Sequence, residues 1–168
     1  MGDEAWLGGK LKGYAPLLMP AAHALTQAIV DLQKFAPGLC DEELTTRPND
    51  APSVAFHLRH IAGSIDRLLT YSRGEQLNEE QFAALKAETA DDSDFNAAEL
   101  TRRAVTEINY ALEALKNIDL NDLFEERFVG RQKLPTNVFG LLFHIGEHTA
   151  RHVGQVVTTA AIVRKRGE

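Results

Sequence analysis

Cysteine is almost missing from this chain: Cys40 is the only one among 168 residues. One thiol excludes an internal disulfide, and a chain without disulfides is expected in a reducing, cytoplasmic setting. Basic residues are outnumbered, 18 against 24 acidic ones, for a formal charge of −6. Nucleic acids and anionic membranes call for a positive footprint, so neither is expected as a partner. No apolar run approaches the ~18 residues of a membrane span. The opening MGDEAWLGGK lacks the cationic and then apolar order of a signal peptide. Sustained period-2 alternation and internal repeats are also missing, which leaves helices as the main element.

What is present is a set of amphipathic stripes. Leu18, Ala22, Leu25, Ile29 and Leu32 recur at intervals of three and four, behind Pro16 and Pro20 and ahead of Pro37-Gly38. That pattern predicts a first helix with proline in its opening turn. Residues 37–52 read as a polar connection. A second helix starts at the N-cap Ser53 and buries Val54, Leu58, Ile61, Ile65 and Leu68, with Arg59, Asp66 and Arg73 on its wet face. Residues 78–88 predict a short helix with Phe82 and Leu85 inward. The acidic run ETADDSD after it reads as a solvated loop, or as a flap over a site. Asn96 caps a third long helix with Leu100, Ala104, Ile108, Ala111, Leu115 and Ile118 inside. Residues 119–135 read as irregular, anchored by Leu120, Leu123, Phe124 and Phe128. Thr136 is the expected cap of a fourth helix that runs to about Val163 and ends in the cations Arg164, Lys165 and Arg166. The prediction is one all-α domain over residues 1–168: a four-helix bundle with an extra short helix or lid between its second and third helices. Residues 1–14 form a partly ordered tail. The long connection after the second helix allows an up-down or a crossover topology.

Three of the six histidines, His144, His148 and His152, lie four residues apart on the fourth helix. At 3.6 residues per turn they drift only roughly 40° per step, so neighbours share a face. Val138, Leu141 and Ile145 lead to a gap, then Val156, Ala160 and Val163 continue. Filled with His148 and His152, the stripe is unbroken, so two imidazoles stand at core positions. A buried imidazole needs partners for its nitrogens, and a metal ion is one. His148-x-x-x-His152 has metal-ligand spacing, but a third ligand must come from another helix. The second helix offers His57, nearer the centre of its stripe, and His60, nearer the edge. Helical phase alone leans to His57. His23, beside Ala22, reads as a core or boundary residue.

Arg59-His60-Ile61-Ala62 behind Ser53, and His148-Thr-Ala-Arg-His152-Val-Gly-Gln155 some ninety residues later, resemble the DinB/YfiT-like family of four-helix bundles. The family pattern places a metal histidine before a (Leu/Ile)-Ala pair and two more in a late His-x-x-x-His-x-Gly-Gln. The resemblance therefore implies the triad His60, His148 and His152, with His57 as a supporting or alternative ligand and His144 as support, pocket wall or core. It implies one divalent transition metal, zinc or nickel. Three imidazoles leave a coordination position open, as in catalytic sites. The implied activity is that of a metal-dependent thiol S-transferase acting on a small electrophile, with a low-molecular-weight thiol such as bacillithiol, mycothiol or glutathione. A metal-dependent hydrolase on the same site, or a non-catalytic, stress-associated metal-binding module, are the alternatives. A homodimer is also implied. Asp66 and Glu147 are candidates to orient the ligands, and Arg131 and Arg151 to bind a carboxylate. Gln155 reads as pocket lining or packing, and Gly154 as a point of close helix approach.

Overall fold

The computed structural model describes residues 4–89 and 96–164. Its helices are α1 (Met19–Phe35), α2 (Asp41–Thr45), α3 (Val54–Ser72), α4 (Glu79–Ala87), α5 (Ala97–Asn117) and α6 (Val138–Val163). The four long ones form the bundle. Ser53 accepts from the Phe56 amide at 3.2 Å and Asn96 from the Glu99 amide at 2.9 Å, where the sequence predicts caps. Such a cap contributes about 1 kcal/mol by satisfying an orphan donor. The stripes meet in one core that includes Leu25, Leu32, Leu58, Ile61, Ile65, Ile108 and Ile145, each fully buried.

The packing order around the bundle is α1, α6, α3, α5, and back to α1. The successive long helices α1 and α3 are thus not main partners, nor are α5 and α6. The chain crosses the bundle twice, and the connection between α3 and α5, where the sequence left the choice open, joins neighbours instead. The first crossing carries α2. Leu39 and Leu44 are buried there, and Glu43 reaches back to the Cys40 amide at 3.0 Å, so residues 37–52 are more than a polar connection.

The second crossing overturns the irregular reading of residues 119–135. Strands β1 (Glu126–Val129) and β2 (Leu134–Asn137) pair antiparallel, with Phe128 opposite Pro135. Four-residue strands give too little alternation to register as a pattern, and a lone hairpin has only edges, where proline is tolerated. Of the four expected anchors only Leu123 is buried; Leu120, Phe124 and Phe128 are exposed. Arg127 ties the hairpin to α3 by donating from Nε to the Ser72 carbonyl at 2.8 Å. The cap of α6 is Asn137, which accepts from the Gly140 amide at 2.7 Å, and not Thr136. At the other end Arg164 donates to the carbonyls of Phe35 and Pro37, at 2.7 and 2.9 Å. This cation therefore serves the C-terminus of α1, where orphan carbonyls collect. Lys165 and Arg166 lie outside the described residues.

Of the N-terminal segment, residues 4–14 are described, and parts of them touch the bundle. Ala5–Gly8 form a 3-10 turn, the Ala5 amide donates to Gln27 at 2.9 Å, and Tyr14 packs on the core, while Trp6 and Leu7 stay exposed. Gly146 of α6 marks a close helix approach. A Cβ there would lie 3.0 Å from Ala21 Cα and 3.3 Å from the Ala21 carbonyl oxygen on α1. At Gly154, the expected point of close approach, a Cβ would meet nothing within 4 Å. Among the described residues, no helix is long and apolar enough to cross a membrane.

Candidate metal centre

The centre forms where α3 faces α6. His60 on α3 and His148 and His152 on α6 each offer one ring nitrogen, and the three nitrogens lie within 4.8 Å of one another. His60 Nε2 stands 3.4 Å from His148 Nε2. Two nitrogens on a tetrahedral ion, each at about 2.0–2.1 Å, would be separated by about 3.3–3.4 Å. That pair matches the spacing, and three imidazoles suit a borderline transition metal. His60 is 21% exposed, and the other two are half-buried, so the centre lies at the rim of the core and not inside it.

The rim position corrects one sequence expectation. His148 and His152 do not fill the gap in the α6 stripe. Thr149 and Val153 do, at 0% and 3% exposure. A small hydroxyl residue is easily left out of an apolar pattern, yet Thr149 is the one buried. The same geometry explains the two α3 histidines. His57 follows the stripe and is buried at 4%. His60, at the stripe edge, is the one that reaches the rim.

Each ligand candidate has a distinct environment. His60 Nδ1 lies 2.7 Å from Glu88 Oε2, and Phe56 stacks on the His60 ring at 5.4 Å and 10°. His152 Nδ1 lies 3.0 Å from His57 Nδ1. One must donate and the other accept. If His152 keeps Nε2 bare, its Nδ1–H donates and His57 Nδ1 accepts. His57 is thus the support of His152. His148 Nδ1 is buried without a hydrogen-bond partner among the described residues.

Burial, helped by neighbouring imidazoles, pushes His57 and His148 down to about 4 and His152 to about 3. All three are therefore neutral near pH 7, with lone pairs ready for a metal. The sign of the pH effect follows. Between the ordinary value of 6.5 and about 4, the unfolded chain binds more protons than the folded one, so stability falls as pH falls. Metal-free protein is expected to lose thermal stability across that window and to be flat above it. Melting curves read between pH 7 and pH 4 check this.

The sequence matches the DinB superfamily over residues 24–156. The chain belongs to the DinB superfamily. Among solved structures, this DinB superfamily chain is similar to YfiT from Bacillus subtilis, which is described as a probable metal-dependent hydrolase with an unusual four-helix bundle topology. The identity is 13%, 92% of each chain is covered and the TM-score is 0.63. A protein from Streptococcus pneumoniae is similar at 14% identity and a TM-score of 0.62, with 95% of this chain and 96% of that one covered. No curated protein matches the sequence. At such identities the structural likeness carries the bundle fold alone.

Two supporting residues differ from those the sequence suggested. Asp66 does not touch a ligand; it accepts from Gln81 Nε2 at 2.8 Å. Glu147 accepts from Arg151 and lies 3.1 Å from His144 Nδ1. His144 is exposed, and so are Arg131 and Gln155, so His144 is not core. Its ring meets that of His148 at 5.1 Å. Arg131 stands 5.5 Å over Phe82. His23 is half-buried, facing a groove of about 920 Å³ between α1 and α6 that the triad does not line.

The residue the sequence missed is Glu88, 5% exposed. It opens the acidic run that reads as solvated, whose residues 90–94 lie outside the described chain. Helix α4 docks by a polar face, Gln81 and Glu88, and leaves Phe82 and Leu85 at 40% and 41% exposure. The available signal was the seven-residue spacing of Gln81 and Glu88, two helical turns, opposite the polar residues Asp66, Arg67 and Thr70 of α3.

Proposed function

We propose that His60, His148 and His152 hold one divalent transition metal ion, zinc or nickel, and that this centre makes the protein a metal-dependent hydrolase of a small-molecule substrate. The observation that carries the reading is the cluster of three ring nitrogens within 4.8 Å at a partly open rim. Three protein ligands leave room for a fourth, as in catalytic centres. The ion would supply a lowered pKa to the water or thiol it binds. His57 holds the His152 ring by their Nδ1 contact, Phe56 shields one face of His60, and the Glu147–Arg151 pair leaves a charged edge beside His148. YfiT, of the same fold, is described as a probable metal-dependent hydrolase, which favours water as the nucleophile.

Thiol S-transfer is the second reading. It uses the same centre with a low-molecular-weight thiol in place of water, and it rests on the sequence motifs alone. A non-catalytic, stress-associated module is the outcome if neither reaction occurs. A homodimer and a cytoplasmic setting belong to the same reading, with the chain working as one domain; sedimentation velocity decides the dimer.

The test is turnover by metal-loaded protein on activated esters and amides, and on a generic electrophile with each of several biological thiols. Hydrolysis that vanishes in His60→Ala and on chelation supports the first reading. Turnover only with a thiol moves the assignment to the second. Rates unchanged in His60→Ala would sink both.

A further inference from the structure

We infer that Glu88 is the positioning residue of the metal centre, and that Gly63 is the opening through which it reaches His60. The inference rests on the metal reading above and adds how one ligand is aimed. Glu88 uses both oxygens. Oε2 lies 2.7 Å from His60 Nδ1, and Oε1 accepts from Arg67 Nη1 at 2.7 Å. Glu88 and Arg67 are 5% and 8% exposed. A buried carboxylate facing Nδ1 draws the ring hydrogen to that nitrogen. The Nε2 lone pair is then left toward His148 Nε2, 3.4 Å away. With the opposite tautomer, a hydrogen would sit among the three ligand nitrogens. Metal-ligating histidines are commonly held in this way by a carboxylate on the second nitrogen.

Residues 60, 63 and 67 share one face of α3, three and four apart. The carboxylate therefore has to pass directly over position 63. A Cβ on Gly63 would lie 2.5 Å from Glu88 Oε1 and 2.7 Å from Arg67 Nη1. Glycine is a poor residue for the interior of a helix, where alanine is favoured. Here the helix gives up that preference and gains space for an ion pair. Both atoms that an alanine would meet end flexible side chains, so the fold can accept the methyl group by letting the pair swing away. Metal binding cannot. Position 63 thus separates the two properties, which a residue needed only for folding would not do.

The experiment uses metal-free, full-length protein. Histidine nitrogen NMR at mildly alkaline pH, where imidazoles are neutral, reads the His60 tautomer. Zinc titration against a competing chelator reads affinity. Wild type is expected to show Nδ1–H at His60. Gly63→Ala is expected to lose that signature, to bind zinc roughly 10–100-fold more weakly, and to melt at the same temperature or higher when metal-free. Glu88→Gln keeps an acceptor for Nδ1–H but not the charge, and is expected to fall between wild type and Glu88→Ala in affinity. Gly63→Ala with the wild-type tautomer and affinity overturns the inference, as does a wild-type His60 protonated on Nε2. Should no variant, wild type included, bind zinc while the tautomer still shifts, the aiming of His60 by Glu88 stands and the metal reading falls.

Discussion

Saturating zinc or nickel is expected to raise the stability of metal-free protein by about 4 kcal/mol at a thousandfold excess over Kd, or roughly 8–16 °C in Tm. His148→Ala should abolish this response. In the folded protein three imidazoles already point into one small volume, so little ordering remains to oppose binding. In the unfolded chain His60 and His148 are 88 residues apart, and gathering them costs the closure of a long loop. His148→Ala is the cleaner of the two α6 variants. Its Nδ1 has no partner to strand among the described residues, whereas His152→Ala leaves the buried His57 Nδ1 bare, at about 1–3 kcal/mol. Elemental analysis of protein purified without a metal-affinity column gives an independent readout. Metal in wild type and almost none in His148→Ala is the expected pair of results. Equal, near-zero contents in both would remove the centre.

The second large effect concerns the contact between α1 and α6. Gly146→Leu is expected to lower stability by about 1–3 kcal/mol or more, read as a fall in the urea midpoint. The side chain would meet Ala21 Cα and its carbonyl oxygen, 3.0 and 3.3 Å from the new Cβ. These are backbone atoms and cannot rotate away, so the helices must separate. Gly154→Ala, eight residues along the same helix, is the control. Its Cβ meets nothing within 4 Å, and replacing a helical glycine by alanine stabilises by up to about 1 kcal/mol. A Gly146→Leu midpoint equal to that of wild type would show that the approach is looser than the geometry indicates.

The contrast between these glycines shows where sequence reading stops. Both interrupt one apolar helix, and nothing local separates them. Only the position of Ala21 on another helix does. The long stripes were legible because burial imposes a period on every turn, and Ser53 and Asn96 were legible because a cap precedes its stripe. The hairpin was not, since four-residue strands carry almost no period and Pro135 resembles a helix entry. At the site, His148 and His152 were readable as a pair from their spacing. That the cluster holds His60 and not His57 was not readable from phase, because phase measures depth in the core and the cluster lies at its rim. The family motif supplied that choice. Glu88 was hidden for a related reason: its burial comes from an ion pair with Arg67 and a bond to His60, and an apolar pattern has no way to register a carboxylate that packs by charge.

The order of helices around the bundle has a consequence for the lifetime of the folded state. Helix α6 sits between α1 and α3, and the proposed ion would join α3 to α6 across a chain separation of 88 residues. Peeling α6 from the bundle would then require breaking metal–nitrogen bonds to a separate helix as well as parting apolar surfaces. An ion held this way would act as a clasp on α6, and its chief effect would be on the rate of escape. Metal-loaded protein would resist proteolysis longest along α6, whose docking partners α1 and α3 lie far from it in sequence.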